Sequence, residues 1–159
     1  ALLAESEFID IFGVENSLTP AMDLFTKLGY LGLTCRLNTD AYLQQIGAGH
    51  LPHGAVAVAF SHSGSSADTV KALRLAKSHG AKTIAITNAI GAPLASWADV
   101  TLLTGRDSHT IYGNAIFSRV ADTALVDMLY MGVILSDYGR FSTALDESGR
   151  MIRDRVFEN

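Results

Sequence analysis

The stretch Ala55-Val-Ala-Val-Ala-Phe-Ser-His-Ser-Gly-Ser-Ser-Ala-Asp-Thr69 decides the fold of this chain. It opens with a short apolar run, which is typical of a strand buried on both faces of a sheet. A turn of small, hydroxyl-bearing residues follows, and then a segment of helical period begins. The apolar face of that helix is formed by Val70, Leu73, Leu75 and Ala76. A strand, a tight turn and a helix in this order form the repeating unit of a parallel α/β sheet.

The same alternation of short apolar runs and helical segments extends in both directions along the chain. The predicted strands are Glu7–Phe12, Leu33–Leu37, Ala55–Phe60, Thr83–Thr87 and Val100–Leu103. The predicted helices are Ser17–Leu28, Asp40–Ala48, Ser66–Ser78 and Asn114 to about Ser136, with a short turn near Pro93–Trp97. This order predicts an α/β fold, a three-layer αβα sandwich of the flavodoxin-like type with a five-stranded parallel sheet.

The last predicted helix closes the domain, and a polar, amphipathic segment follows it. The residues of that helix expected to face inward are Ala121, Leu125, Met128, Leu129 and Leu135. We therefore expect a domain over residues 1–137 and a helical C-terminal tail over residues 138–159. The tail is expected to pack on the domain or on a partner chain.

Length, composition and charge limit the classes of function. With 159 residues, 48% of them hydrophobic and 18% charged, the chain has the size and composition of one folded domain. Its formal net charge of −4 argues against this chain binding duplex nucleic acid by itself, because backbone phosphates are held by clustered Lys and Arg. The longest apolar-leaning stretch, Ile116–Leu135, is interrupted by charged residues, and no secretion signal opens the chain. These features predict a cytoplasmic protein without a membrane span.

The sequence offers little for metal or cofactor chemistry. The five histidines follow neither the HExxH pattern nor a spacing linked to cysteine, and no dinucleotide or Walker fingerprint occurs, so we expect no metal and no cofactor. Cys35 lies between Leu33 and Leu37 in a predicted strand, which predicts a buried, unreactive thiol. Arg119 and Asp122 have i, i+3 spacing on a helix and are interpreted as a surface ion pair.

The hydroxyl-rich turn Ser61–Ser66 has the properties of an anion site. The first amides of the helix that follows have no acceptor within the helix, and the helix dipole favours a negative charge there. Ser61, Ser63 and Ser66 add hydroxyl donors, and Gly64 permits a tight turn with a positive φ. The alternative is that Ser65 or Ser66 only caps the helix. Because the turn contains four serines and a glycine, a phosphate cradle is the favoured interpretation.

A set of motifs occurs in a fixed order between Phe8 and Leu135. The motifs are Phe60-Ser-His-Ser-Gly-Ser-Ser-Ala-Asp-Thr69, Ala76-Lys-Ser-His-Gly-Ala-Lys82, Ile84-Ala-Ile-Thr-Asn88, Pro93-Leu94 and Ala98-Asp-Val100. Together they resemble the SIS (sugar isomerase) domain family. The run Phe117-Ser-Arg-Val-Ala-Asp-Thr-Ala-Leu-Val-Asp127 further resembles the effector-binding domains of RpiR-type bacterial transcription regulators. The resemblance implies a sugar phosphate ligand and a homodimer or higher homo-oligomer. It implies that DNA is contacted only through a helix-turn-helix domain, which is absent from this chain.

The resemblance also implies a ligand site shared between two loops. The implied ligand-binding residues are Ser17, Ser61, His62, Ser63, Gly64, Ser65, Ser66 and Asn88. For His62, ligand contact and an outward-facing position are both open, and Asn88 either lines the sugar or ends its strand in a turn. In the loop Gly13–Ser17 the family usually has a glycine where this chain has Glu15. A carboxylate there would repel a phosphate unless it turns outward, so Glu15 indicates a retuned ligand, such as a sugar amine, or a lost site.

Two functions follow from this resemblance. The favoured one is phosphosugar sensing without chemistry, as the effector-binding module of an RpiR-like regulator. The alternative is an aldose-ketose sugar-phosphate isomerase, for which Asp107 and His109 would be the catalytic candidates. Enzymatic relatives place a Glu near the loop after the fifth strand, whereas this chain has no Glu between Glu15 and Glu147. We therefore expect no enzymatic activity.

Overall fold

The computed structural model describes residues 2–105 and 119–153. Its strands are β1 (Ile9–Phe12), β2 (Cys35–Leu37), β3 (Val56–Phe60), β4 (Lys82–Thr87) and β5 (Val100–Leu103). Its α-helices are α1 (Leu2–Glu5), α2 (Leu18–Tyr30), α3 (Ala41–Ala48), α4 (Ala67–Ser78), α5 (Val120–Ser136) and α6 (Tyr138–Met151). Short 3-10 turns cover Glu15–Ser17 and Ala95–Trp97. The predicted strands and helices are present, with most ends shifted by a residue or two, and α1 is an addition to them.

All five strands belong to one parallel sheet of order β2-β1-β3-β4-β5. β3 lies at its centre, where Val58 pairs with Ile11 of β1 on one side and with Ile84 of β4 on the other. The strand order reverses between β1 and β3. The connections after these two strands therefore leave in opposite directions and open a crevice at the carboxyl edge of the sheet.

Helices cover both faces of the sheet. On one face, Ile11, Val58 and Ile86 pack in a cluster with residues of α1, α2, α5 and α6. On the other face, Ala57 and Ala59 pack in a second cluster with residues of α3 and α4. Alternate residues of a strand point to opposite faces, so β1, β3 and β4 each supply both clusters. The predicted three-layer αβα sandwich is confirmed.

The buried face of α5 differs from the predicted one. Val126, Val133 and Ile134 are buried, and Leu125 and Leu129 pack against the core as expected. The other expected inward residues are exposed, namely Ala121, Met128 (69%) and Leu135 (68%). The prediction was wrong for these because α5 is apolar on almost every side, so no polar face marks its solvent side. Residues 114–118 of the predicted helix lie outside the described residues.

Two further features hold the edges of the domain. Phe141 of α6 is fully buried, and the Arg140 guanidinium donates to the Ala4 carbonyl at 3.0 Å, so α6 packs on the domain. Between β1 and β2, the buried Asp10 accepts two hydrogen bonds from Arg36 at 3.0 and 2.6 Å. Burial raises the pKa of Asp10, although Arg36 acts in the opposite direction.

Cys35 begins β2 and is half-buried rather than buried. Burial raises the pKa of its thiol to about 11. The thiolate, which is the reactive form, is therefore scarce at neutral pH. This agrees with the unreactive thiol expected from the sequence.

Candidate functional site

A cleft with a volume of about 590 Å³ opens between the loops that follow β1 and β3. It lies at the carboxyl edge of the sheet, where the strand order reverses, which is the usual ligand position in such folds. We call Ser61–Ser66 the serine loop and residues 13–17 the β1 loop. The residues that line the cleft are Val14, Glu15, Asn16, Ser17, Ser61, His62, Ser63, Ser65, Ser66, Asp68 and Arg119.

The serine loop is fixed to the end of β4 by hydrogen bonds to its main chain. The Ser61 amide donates to the Ile86 carbonyl, and the Asn88 amide donates to the His62 carbonyl, both at 3.0 Å. The Thr87 hydroxyl also donates to the His62 carbonyl at 3.1 Å. The loop therefore owes its position to the neighbouring strand rather than to a ligand.

Gly64 gives the serine loop its tight shape. Its φ of 62° lies in the left-handed region that favours glycine, and its carbonyl accepts from the Leu94 amide at 2.9 Å. A Cβ at this position would lie 2.3 Å from the Ala92 Cβ and 2.8 Å from the Thr87 Oγ1. Both the conformation and the space therefore require glycine. Gly64 is buried, so it shapes the loop without lining the cleft.

The start of α4 lies at the cleft and is not capped by its own side chain. Ser66 occupies the N-cap position, but its hydroxyl accepts no hydrogen bond from a first-turn amide. It accepts instead from the Thr69 hydroxyl at 3.3 Å, and the Ser63 Oγ accepts from the Ser65 amide at the same distance. The simple capping interpretation of Ser66 is thus wrong. Amides at the positive end of the helix dipole remain available to an anion in the cleft.

The β1 loop is held by one side chain that sequence reasoning missed. Gln44 of α3 is only 1% exposed. Its Oε1 accepts from the Gly13 amide at 3.2 Å, and its Nε2 donates to the carbonyls of Gly13 at 2.7 Å and Asn38 at 2.8 Å. A buried amide side chain needs partners, but the adjacent Gln44 and Gln45 of α3 are both buried, and the local sequence does not show which groups they contact.

Glu15 and Ser17 both line the cleft from the β1 loop. Ser17 is buried, and its side chain does not cap α2. Glu15 is exposed and has a φ of 51°, a left-handed backbone conformation that residues other than glycine rarely adopt. The usual glycine of the family pattern would adopt this φ without strain. Glu15 is therefore a strained residue in the lining of the cleft.

The ring of His62 lies at the cleft and has neighbours on two elements. Its Nε2 is 3.3 Å from the Asn88 Nδ2, and its Nδ1 is 4.0 Å from the Asp122 Oδ2. His62 therefore lies in the lining of the cleft rather than on the outer surface. Asn88 is not among the lining residues and instead lies behind the His62 ring.

Arg119 and Asp122 bring the start of α5 to the same cleft. Their side chains are 14% and 7% exposed. The prediction that this ion pair lies on the surface was therefore wrong. The Arg119 Nε and the Asp122 Oδ2 are 3.9 Å apart. Helical spacing predicted the pair correctly, but it does not show which side of a helix faces the core. Asp107 and His109, the candidates for catalysis, lie outside the described residues.

Comparisons with known proteins agree with this architecture. The model of the SIS domain family matches residues 2–132. An uncharacterized HTH-type transcriptional regulator of Caldanaerobacter subterraneus subsp. tengcongensis is 31% identical over 157 residues, which cover 99% of this chain and 56% of the relative. The HTH-type transcriptional regulator RpiR of Escherichia coli K12 is 26% identical over 143 residues, which cover 90% of this chain and 48% of that protein. The chain thus spans about half the length of the curated relatives it matches.

Two solved structures share the fold over almost the whole chain. The Vibrio vulnificus NanR protein complexed with ManNAc-6P has a TM-score of 0.90 and 25% identity, covering 99% of this chain and 59% of NanR. The sugar isomerase domain of the RpiR transcription factor from Sphaerobacter thermophilus has a TM-score of 0.82 and 24% identity, covering 94% of this chain and 82% of that one. The ordered motifs, the sheet order and these matches lead to one assignment: the chain belongs to the SIS domain family.

Proposed function

We propose that this chain is the phosphosugar-binding effector domain of an RpiR-like transcription regulator. The observation that carries the proposal is the serine loop, which places four cleft-lining serines beside the uncapped start of α4. A dianionic phosphate there would accept several charge-assisted hydrogen bonds, each worth about 1.5–3 kcal/mol. The ligand residues we assign to it are Ser17, Ser61, His62, Ser63, Ser65 and Ser66, with Gly64 and Asn88 shaping and supporting the loop.

The relatives support this choice of ligand class. NanR, at 25% identity, is described in complex with ManNAc-6P. The curated relatives are HTH-type transcriptional regulators of which this chain spans about half. We infer that DNA contact by the parent protein belongs to a helix-turn-helix domain rather than to the cleft. Within residues 2–105 and 119–153, no helix has both the length and the apolar character that a bilayer crossing requires. A cytoplasmic regulator is the proposal consistent with these findings.

We further propose that two copies of the chain pair through the outer side of α5. We call Val120, Met128, Met131 and Leu135 the α5 strip, and their side chains are 49–74% exposed. Beside it, a groove of about 300 Å³ runs between α1, the edge strand β5 and α5. Apolar surface of this kind on an otherwise well-packed domain is typical of a protein interface. Sedimentation of the wild type should show a dimer, and Met128→Asp with Leu135→Asp should give a monomer of unchanged helix content.

The test of ligand binding is a thermal-shift panel of hexose and pentose phosphates, each paired with its unphosphorylated sugar. We expect stabilisation by at least one phosphorylated member and by none of the free sugars. The Ser61→Ala, Ser63→Ala double variant should lose this response, whereas Ser142→Ala, at a half-buried position of α6 that does not line the cleft, should keep it. An unaffected double variant, or no response from the wild type, would contradict the proposal.

The same mixtures separate sensing from isomerisation. NMR spectra of each sugar phosphate, recorded after prolonged incubation with the protein, should show no aldose-ketose interconversion. Catalysed interconversion would establish the alternative, a sugar-phosphate isomerase. Asp107 and His109, the catalytic candidates from the sequence, would then be the residues to substitute.

A further inference from the structure

We propose that Arg119 binds the anionic group of the phosphosugar and that this contact fixes the start of α5. The inference rests on the proposed function of the cleft and adds to it a charged ligand residue and a connection to a second surface. Arg119 was interpreted from the sequence as part of a surface ion pair, so neither role follows from the motif resemblance.

The charged residues that line the cleft indicate a role for Arg119. Glu15 and Asp68 contribute two carboxylates to its lining, and the serine loop contributes neutral donors. Arg119 is the only Lys or Arg among the described lining residues. Without Arg119, a doubly charged phosphate would meet two carboxylates and no cation among the described lining residues, which is unfavourable at such short range. A guanidinium can meet a phosphate through two parallel hydrogen bonds, which makes Arg suited to this contact.

The state of the Arg119 side chain indicates that it lacks an acceptor. Its Nε and Nη1 are buried and have no hydrogen-bond partner within the described part of the chain. The Asp122 Oδ2 is 3.9 Å from the Nε, which is about 1 Å beyond an ordinary hydrogen bond. Buried donors without acceptors are rare and costly, particularly on a charged group. A small rotation of the guanidinium toward an oxyanion in the cleft would supply the acceptor and remove this cost.

The main chain of Arg119 belongs to the beginning of α5. Arg119 is the residue at the N-cap position, and its carbonyl accepts from the Thr123 amide at 2.9 Å and the Thr123 hydroxyl at 3.0 Å. Asp122, in the first turn of the helix, lies 4.0 Å from the Nδ1 of His62 in the serine loop. A ligand held by both the serine loop and Arg119 would therefore bridge the end of β3 and the first turn of α5.

The first turn of α5 is also where the α5 strip begins, at Val120. A shallow depression on the outer side of the helix is lined by Arg119, Val120, Thr123, Ala124 and Asp127. Arg119 thus lines both the cleft and this depression, which includes Val120 of the α5 strip. A ligand that holds Arg119 in one orientation would favour one arrangement of this turn, which is the differential contact that a conformational shift requires.

The experiment is calorimetric titration of the whole chain with ManNAc-6P, inorganic phosphate and unphosphorylated ManNAc, followed by any stronger binder from the phosphate panel. We expect Arg119→Gln to weaken phosphosugar binding by at least 30-fold and Arg119→Lys by less than 10-fold. Arg150→Gln removes the same charge from an exposed position of α6 and should stay within twofold of the wild type. Because Arg119→Gln leaves Asp122 unpaired, Arg119→Gln with Asp122→Asn serves as a charge-balanced variant if the single one does not fold.

Amide hydrogen exchange supplies the second measurement. A phosphosugar should slow exchange of the amides of residues 120–127 in the wild type and should not do so in Arg119→Gln at saturating ligand. If the wild type binds a phosphosugar and Arg119→Gln binds it equally well, the inference is wrong while the proposed function stands. Unchanged exchange in the wild type overturns the connection to α5. If the wild type binds no phosphosugar at all, the proposed function and this inference fail together.

Discussion

The serine loop and the β1 loop face each other across the cleft, but they are held in different ways. The serine loop is attached through main-chain groups to β4 and the segment after it, and glycine occupies its left-handed position. Among the described residues, Gln44 is the one whose side chain hydrogen-bonds to the β1 loop, and the left-handed position of that loop is occupied by Glu15. The serine loop is therefore a preformed part of the scaffold, whereas the β1 loop is the adjustable side of the site. Substitutions in each loop can test this difference.

The largest effect is expected from Gly64→Ala. The new Cβ would lie 2.3 Å from the Ala92 Cβ, and the alanine would have to keep a backbone φ of 62°. Overpacking and the left-handed conformation together should lower the free energy of unfolding by on the order of 3 kcal/mol. Urea denaturation measures this loss, and phosphosugar affinity should fall with it. Gly149→Ala in α6, where a Cβ meets nothing within 4 Å, is the control and should not destabilise the protein. Equal midpoints for the two variants would refute the preformed serine loop.

The second-largest loss of stability is expected from Gln44→Leu, which acts on the β1 loop. It leaves the amide and carbonyl of Gly13 and the carbonyl of Asn38 without their side-chain partner, which should cost about 2–3 kcal/mol of stability. Because Gln44 does not line the cleft, any loss of phosphosugar affinity would come from displacement of the β1 loop. Gln44→Glu keeps the acceptor for the Gly13 amide but places a buried carboxylate oxygen against the carbonyls of Gly13 and Asn38, so it should lose at least as much. Denaturation and titration of both variants provide the measurement. If Gln44→Leu changes neither stability nor phosphosugar affinity, Gln44 is not the support of the β1 loop.

Thr87→Val should have a smaller effect because the serine loop has other supports. The substitution removes the hydroxyl that donates to the His62 carbonyl at 3.1 Å, but the Asn88 amide still donates to the same carbonyl. The hydroxyl also accepts from the Ala89 amide at 3.2 Å, so we expect a loss of about 1–2 kcal/mol for the two hydrogen bonds. Thr87→Ser keeps the hydroxyl and is the matched control. A loss for Thr87→Val as large as that for Gln44→Leu would mean that the two loops are equally dependent on single side chains.

Glu15→Gly should give the smallest change in stability, and this change should be a gain. Glycine relieves the strain at a φ of 51°, worth about 1–2 kcal/mol, but it also increases the freedom of the unfolded chain. The net gain should therefore be about 0.5 kcal/mol in thermal or urea unfolding. Glu15→Gln removes the charge and keeps the strain, so it should raise phosphosugar affinity without stabilising the protein. If Glu15→Gln weakens binding instead, the carboxylate contacts the ligand and the site is tuned to an amine or hydroxyl group.

The sequence was sufficient for the sheet and the serine loop because both depend on local pattern. Short Val- and Ile-rich runs identify buried strands, and the bounds of Val100–Leu103 were predicted without error. The serine residues follow the strand Ala55–Phe60 directly, so their place at the carboxyl edge of the sheet required only the fold class. A positive φ at Gly64 was also predictable, since the turn offers glycine only at this position.

The features that were missed depend on contacts between distant parts of the chain. Gln44 and Gly13 are far apart in sequence, and nothing local indicates that one supports the other. The solvent side of α5 was wrongly predicted because Met128 and Leu135 are as apolar as the residues that it buries. Arg119 was assigned to the surface for the same reason. In each case the deciding information is which neighbour the helix packs against, and a single sequence carries this only weakly.

The sheet order has a consequence for the order in which the protein folds. β3, β4 and β5 are consecutive in the chain and adjacent in the sheet, whereas β1 reaches β3 only after β2 and α3 have been added between them. Contacts that close shorter loops form faster, so the β3–β4 unit should form early and the pairing of β1 with β3 later. In pulse-labelled refolding, the Asn88 and Leu94 amides should therefore become protected before the Gly13 amide. The serine loop would then be in place before β1 and the β1 loop join it at the cleft.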